Sequence, residues 1–104
     1  PERFYLVAAR RLLRSDDSGL SWSDVYANEA TKMTALAYDP SDPDRVFVAL
    51  ELGSVLGSTD GGATWTDLGA VGDRLRVYDL VLGADGRTLI AAANQGIWRL
   101  RSAD

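Results

Sequence analysis

The chain has 104 residues, with 11 basic and 15 acidic side chains, a formal net charge of −4, and neither cysteine nor histidine. That length fits one domain with one modest core. The missing residue types exclude a disulfide framework, a thiolate nucleophile, a zinc ribbon, histidine-based acyl transfer and imidazole metal ligands, and the acidic balance argues against nucleic-acid binding, which wants a basic face.

Taken in chain order, short apolar runs alternate with turn clusters at intervals of about 8–12 residues, the pattern of an all-β protein. Strands are expected at Phe4–Ala9, Arg11–Arg14, Ser21–Tyr26, Thr34–Tyr38, Val46–Glu51, Ser54–Gly57, Thr64–Leu68, Arg76–Leu82, Thr88–Ala93 and Ile97–Arg101. A helix at Asn28–Ala35 is the weaker alternative for that stretch, because Thr31 and Thr34 suit it poorly. Asp39-Pro40-Ser41-Asp42-Pro43-Asp44 reads as a turn, since two prolines lack the N–H that a central strand must donate. Asp60-Gly61-Gly62 and Gly83-Ala84-Asp85-Gly86 supply further turns. No apolar run approaches the roughly 18–20 residues of a membrane-spanning helix, and the first residues lack the order of a signal peptide. The chain opens on Pro1 rather than Met, which reads as processing, trimming or excision.

The sequence repeats itself. Ser15-Asp16-Asp17-Ser18-Gly19-Leu20-Ser21-Trp22 and Ser58-Thr59-Asp60-Gly61-Gly62-Ala63-Thr64-Trp65 both fit Ser-x-Asp-x-Gly-x-Ser/Thr-Trp, at an offset of 43. Pro1-Glu2-Arg3-Phe4-Tyr5 is echoed by Pro43-Asp44-Arg45-Val46-Phe47 at an offset of 42, and Arg87 stands a further 42 on. Arg101-Ser102-Ala103-Asp104 resembles the opening of a third copy. A period near 42 residues is that of one four-stranded propeller blade. In such a cassette Gly19 and Gly62 take a left-handed backbone, Asp17 and Asp60 accept from loop N–H groups, and Ser15, Ser58, Ser21 and Thr64 bond back within the loop. Trp22 and Trp65 then begin the outgoing strand and cover apolar surface.

These two cassettes, with the Asp39–Pro43 turn between them, resemble the Asp-box (BNR) repeat propellers, a group that includes sialidases, sortilin-type receptor domains, xyloglucan-cleaving glycosidases and photosystem II assembly factors. The resemblance covers essentially the whole chain. It implies all-β architecture in four-stranded antiparallel blades, about two and a half of them: residues 1–31 an incomplete first blade, 32–73 a complete one, 74–104 an incomplete last one. It also implies that the cassette lies in the turn between the third and fourth strands of a blade, away from any active site, and that the compartment is extracellular or periplasmic. An open arc would expose apolar blade faces, so a segment of a larger propeller is favoured over a ring completed by copies. Simple head-to-tail closure fits poorly, because the first blade lacks its inner strand and the last its outer one, so one end does not supply what the other lacks.

The candidates for chemistry are few. Asp79 interrupts the apolar run Arg76–Leu82, expected to line a channel, where a carboxylate needs a partner or water; Arg74 or Arg76 is the expected partner. Arg10, Arg11 and Arg14 form a basic cluster, with Arg10 and Arg14 on one face of the expected strand and Arg11 on the other. Asp79, Arg76, Arg10, Arg11 and Arg14 are therefore the candidate channel or partner-binding residues. A glycosidase would need two carboxylates facing across a cleft, for which Asp79 and Asp39 are the candidates. The sialidase pattern is not matched: there is no Arg-Ile-Pro segment and no Tyr-Glu neighbour pair. Asp17 and Asp60 lack the dense oxygen ligands of a calcium loop, and no metal or cofactor is expected. The leading expectation is a non-enzymatic binding or scaffold module with a protein partner or further blades; the alternative is part of a secreted glycoside hydrolase or glycan-binding propeller, and a third reading is a structural component of an assembly.

Overall fold

The computed structural model describes residues 3–27, 31–39, 41–51, 53–70, 76–83 and 86–101. Those residues form ten strands: β1 (Phe4–Ala8), β2 (Arg11–Ser15), β3 (Ser23–Ala27), β4 (Met33–Asp39), β5 (Asp42–Leu50), β6 (Ser54–Ser58), β7 (Thr66–Ala70), β8 (Val77–Leu82), β9 (Thr88–Ala93) and β10 (Gly96–Arg101). Each strand pairs antiparallel with its sequence neighbour, giving three sheets: a first of β1-β2-β3, a middle one of β4-β5-β6-β7 and a last of β8-β9-β10. The protein is all-β in three small antiparallel sheets, and only the middle one has four strands among the described residues.

The sheets stack in series, and β5 shows why. Val46, Val48 and Leu50 pack with Tyr5 and Leu12 of the first sheet. Phe47 and Ala49, on the alternate face, pack with Val77, Leu80, Leu89 and Ala91 of the last. A strand buried on both faces reads as an unbroken apolar run rather than an alternating one. Val46, Val48, Val55, Leu12, Val77 and Leu89 are fully buried, and each contributes about 1.5–3 kcal/mol through burial alone. Tyr5 against Tyr38 (ring centroids 5.5 Å) and Tyr26 against Trp65 (5.1 Å) complete the seam between the first two sheets.

Several expectations are corrected. Pro43 lies inside β5, and the β4–β5 turn is tighter than the sequence suggested, with Asp39 paired to Asp42. Pro43 is tolerated because β6 pairs with β5 only from Val46 onward, so no neighbour requires its N–H; its carbonyl instead accepts the Tyr5 hydroxyl. Pro40 lies outside the described residues. Residues 33–35 are strand, so the helix alternative fails there. Arg10 sits in the β1–β2 turn beside Ala9, whose φ is 55°, and shares no strand face with Arg14. Trp22 and Trp65 each stand one position before their outgoing strand.

Antiparallel order sorts the connections onto two ends. One end holds both Ser-to-Trp cassettes and the β4–β5 turn. The other holds the Ala9–Arg10 turn, Lys32, Glu51, Arg76 and Asn94, knitted by Met33 N–H to the Ala9 carbonyl (2.8 Å), Glu51 N–H to Lys32 (2.8 Å) and Asn94 N–H to Arg76 (3.1 Å).

Candidate functional site

Each cassette is a closed corner built on its first serine. The Ser15 hydroxyl accepts from the Gly19 N–H (2.8 Å) and donates to Asp17 Oδ1 (2.8 Å). Ser58 does the same with Gly62 (2.9 Å) and Asp60 (2.7 Å). The aspartate then holds the far side of the loop: Asp17 accepts from the Ser21 N–H (2.9 Å) and hydroxyl (2.6 Å), and Asp60 from the Thr64 N–H (2.9 Å) and hydroxyl. Each indole closes the ring, Trp22 Nε1 on the Gly19 carbonyl (3.1 Å) and Trp65 Nε1 on that of Gly62 (2.9 Å). Gly19 and Gly62 stand at φ of 94° and 101°, a conformation that a residue with a Cβ adopts only under strain. Ser15 and Ser58 are buried, so losing either would strand a loop N–H without water.

This geometry lowers both carboxyl pKa values. Hydrogen bonds from the Ser21 hydroxyl, the Ser21 N–H and Ser15 hold Asp17 down at about 2, and those from the Thr64 hydroxyl, the Thr64 N–H and Ser58 hold Asp60 there too. The stabilisation is fully present above the ordinary value of 3.8 and is lost as pH falls through about 2. Thermal melts across that window should therefore show Tm dropping with acid. Asp60→Asn, already destabilised at neutral pH, should show a shallower drop; an equal slope would remove the carboxylate from the account.

The second cassette also docks on the first sheet. Arg14 Nη1 donates to the Gly61 carbonyl (2.9 Å), and the Gly61 N–H reaches the Asp44 carbonyl (2.9 Å). Gly62 lies so near Val25 that an added Cβ would stand 3.1 Å from Val25 Cγ2. Arg3 bridges Asp16 (2.7 Å) and Asp44 (2.6 Å), and Arg14 also pairs with Asp16 (3.1 Å). The Arg14 guanidinium, followed by that of Arg3, holds the Asp16 carboxyl below its usual range. Sequence reasoning missed Arg3, although the 42-residue echo of Arg3, Arg45 and Arg87 carried the signal. Arg45 pairs with Asp39 (3.1 Å) and lies over the Phe47 ring, 5.4 Å from its centroid.

The remaining candidates do not converge. Asp79 is exposed, and its carboxylate accepts the Leu80 N–H (2.9 Å). Arg76 turns to Glu51 (3.5 Å) rather than to Asp79, and Arg74 lies outside the described residues. Arg11 pairs with Asp24 (3.5 Å), Arg14 is committed to Asp16 and the second cassette, and Arg10 is exposed in its turn. The basic cluster is thus three residues with three different surroundings. Asp39, in the β4–β5 turn, accepts from the Ser41 hydroxyl and N–H and pairs with Arg45, which together depress its pKa. It therefore sits at the cassette end, in a different strand position from Asp79.

Serial antiparallel sheets that carry a repeated Ser-to-Trp corner have the fold of the Asp-box (BNR) propellers. The chain is similar to YCF48, solved bound to D1 peptide, with a TM-score of 0.73 and 18% identity over 98% of this chain and 34% of that one. It is similar to the GH74 enzyme of Niastella koreensis, with a TM-score of 0.74 and 21% identity over 97% of this chain and 18% of that one. An ancestral GH74 enzyme matches with a TM-score of 0.70 and 18% identity over 94% of this chain and 15% of that one. At these identities the likeness is one of fold, and the chain spans about a third or less of each of these three structures. No protein-family model and no curated protein matches the sequence.

Proposed function

We propose that the chain is a non-enzymatic binding or scaffold module, a run of four-stranded propeller blades completed by further blades and presenting one end to a protein partner. The observation that carries this reading is the state of the two carboxylates that hydrolysis would need. Asp39 is tied to Ser41 and Arg45 at one end of its strand, while Asp79 is exposed in mid-strand and accepts the Leu80 N–H. A pair facing across a cleft is the requirement for glycoside hydrolysis. The end opposite the cassettes, with Arg10, Lys32 and the half-exposed Arg76 beside Glu51, is the proposed partner-facing end. The peptide bound to YCF48 supports a peptide as the partner's chemistry. The extracellular or periplasmic compartment implied by the resemblance goes with this reading.

The likeness to GH74 enzymes is of equal strength and favours a second reading, part of a glycoside hydrolase or glycan-binding propeller. One experiment separates the two. Peptide display on the immobilised chain should enrich acidic sequences, and Arg10→Glu with Arg76→Glu should weaken them about tenfold, roughly 1.4 kcal/mol. No enrichment, together with release of reducing ends from a β-glucan, would move the assignment to the hydrolase.

A further inference from the structure

The sequence places an arginine at the same slot of each sheet: Arg3, Arg45 and Arg87 follow one another at intervals of 42. The structure shows what the first two reach. Arg3 is anchored on Asp16 of its own sheet (2.7 Å) and extends to Asp44 in β5 of the middle sheet (2.6 Å). Arg45 is anchored on Asp39, also of its own sheet (3.1 Å), and extends toward the last sheet. A Cβ added at Gly86, in the turn before β9, would stand 3.7 Å from Arg45 Nη1. Asp44 and Gly86 are themselves 42 residues apart, so the two arginines reach the same point of successive sheets. Each shares a strand face with an aromatic of the seam it crosses, Arg3 with Tyr5 and Arg45 with Phe47. Both seams lie inside the chain, so the arrangement does not depend on what adjoins the first or the last sheet.

The seams are otherwise apolar, with Leu12 and Val48 in the first and Val77 and Leu80 in the last. Apolar burial is non-directional, whereas a guanidinium bonded to a carboxylate fixes distance and angle. Burial ranks the two arginines. The Arg45 and Asp39 side chains are 13% and 15% exposed, against 26% and 54% for Arg3 and Asp44. A pair withdrawn from water is screened less by salt and costs more to break. At the first seam the bond from Arg14 to the Gly61 carbonyl crosses beside Arg3, so losing Arg3 weakens docking without abolishing it.

We propose that Arg3 and Arg45 are serial ionic staples, each setting how readily one seam opens, and that the Arg3 staple yields to ionic strength. Where each sheet touches only its neighbours, stability is a sum of unit terms and nearest-neighbour terms. The two staples therefore act separately. The first sheet can part from the middle one while the last stays docked.

Thiol labelling of the folded chain tests this. The chain has no native cysteine, so one introduced thiol reports each opening. Val48→Cys places it in the first seam and Val77→Cys in the last, both at fully buried positions. Labelling under native conditions then follows local opening. Arg3→Gln should speed labelling at Val48→Cys about threefold to fivefold and leave Val77→Cys unchanged. Arg45→Gln should speed labelling at Val77→Cys about tenfold or more and leave Val48→Cys unchanged. Rising sodium chloride should reproduce the first effect in the Val48→Cys chain and do far less once Arg3→Gln is present. Arg3→Lys, which keeps the charge, should label more slowly than Arg3→Gln. Asp39→Asn removes the anchor of the second staple should Arg45→Gln fail to fold, as judged by far-UV circular dichroism. Equal acceleration at both thiols, no acceleration at either, or a salt response undiminished by Arg3→Gln would each overturn the proposal.

Discussion

Leu12→Ala is expected to destabilise the chain by about 2–5 kcal/mol. Leu12 is fully buried in the seam between the first and middle sheets, among Tyr5, Met33, Val46 and Val48. Cutting it back removes favourable transfer of the side chain and leaves a cavity that two stacked sheets cannot readily collapse. In a domain with about 5–15 kcal/mol of total stability this is a large fraction, worth a fall in Tm of roughly ten degrees or more. Leu6→Ala, on the opposite face of the neighbouring strand and half exposed, should change stability by about 0.5 kcal/mol or less in the monomer. Urea unfolding of the two variants gives the comparison directly. Equal effects would mean that the first sheet is not docked on the middle one.

The second large effect is at Gly62. Its φ of 101° strains any residue with a Cβ, at a cost of about 1–3 kcal/mol. The added methyl would also stand 3.1 Å from Val25 Cγ2, and crowding of that kind in a packed region adds about 1–3 kcal/mol. Gly19, its counterpart in the first cassette, has a similar φ of 94° but nothing nearer than 3.7 Å. Gly62→Ala should therefore cost more than Gly19→Ala by the crowding contribution alone. The difference measures docking of a cassette on the preceding sheet, separately from its internal geometry. If Gly19→Ala proved as costly as Gly62→Ala, the cassettes would be local turns with no part in joining sheets.

How far the fold was legible follows from which interactions are local. Each of the ten strands falls where a short apolar run meets turn residues, and the ladders join neighbours in sequence, so periodicity suffices to find them. The cassettes were readable for the same reason, since Ser58, Asp60, Gly62 and Thr64 bond within one short loop. Contacts between sheets were not readable. Arg14 was grouped with Arg10 and Arg11 by adjacency, yet its partner, the Gly61 carbonyl, is a backbone atom 47 residues on. Arg76 was set against Asp79 by proximity in the chain, but the fold brings it to Glu51. Pro43 was read by its missing donor, without knowledge that β6 leaves that part of β5 unpaired. The candidate binding end rests on residues whose partners come from different sheets, so its composition becomes visible only once the stacking is known.

Serial stacking through the cassettes is measured most directly by proton NMR on the folded monomer. The Tyr26 ring and the Trp65 indole, with centroids 5.1 Å apart, should give strong nuclear Overhauser cross-peaks, and the Trp22 indole should give none to any tyrosine ring. A well-dispersed β-sheet spectrum lacking the Tyr26–Trp65 cross-peaks would contradict the placement of each sheet against the next.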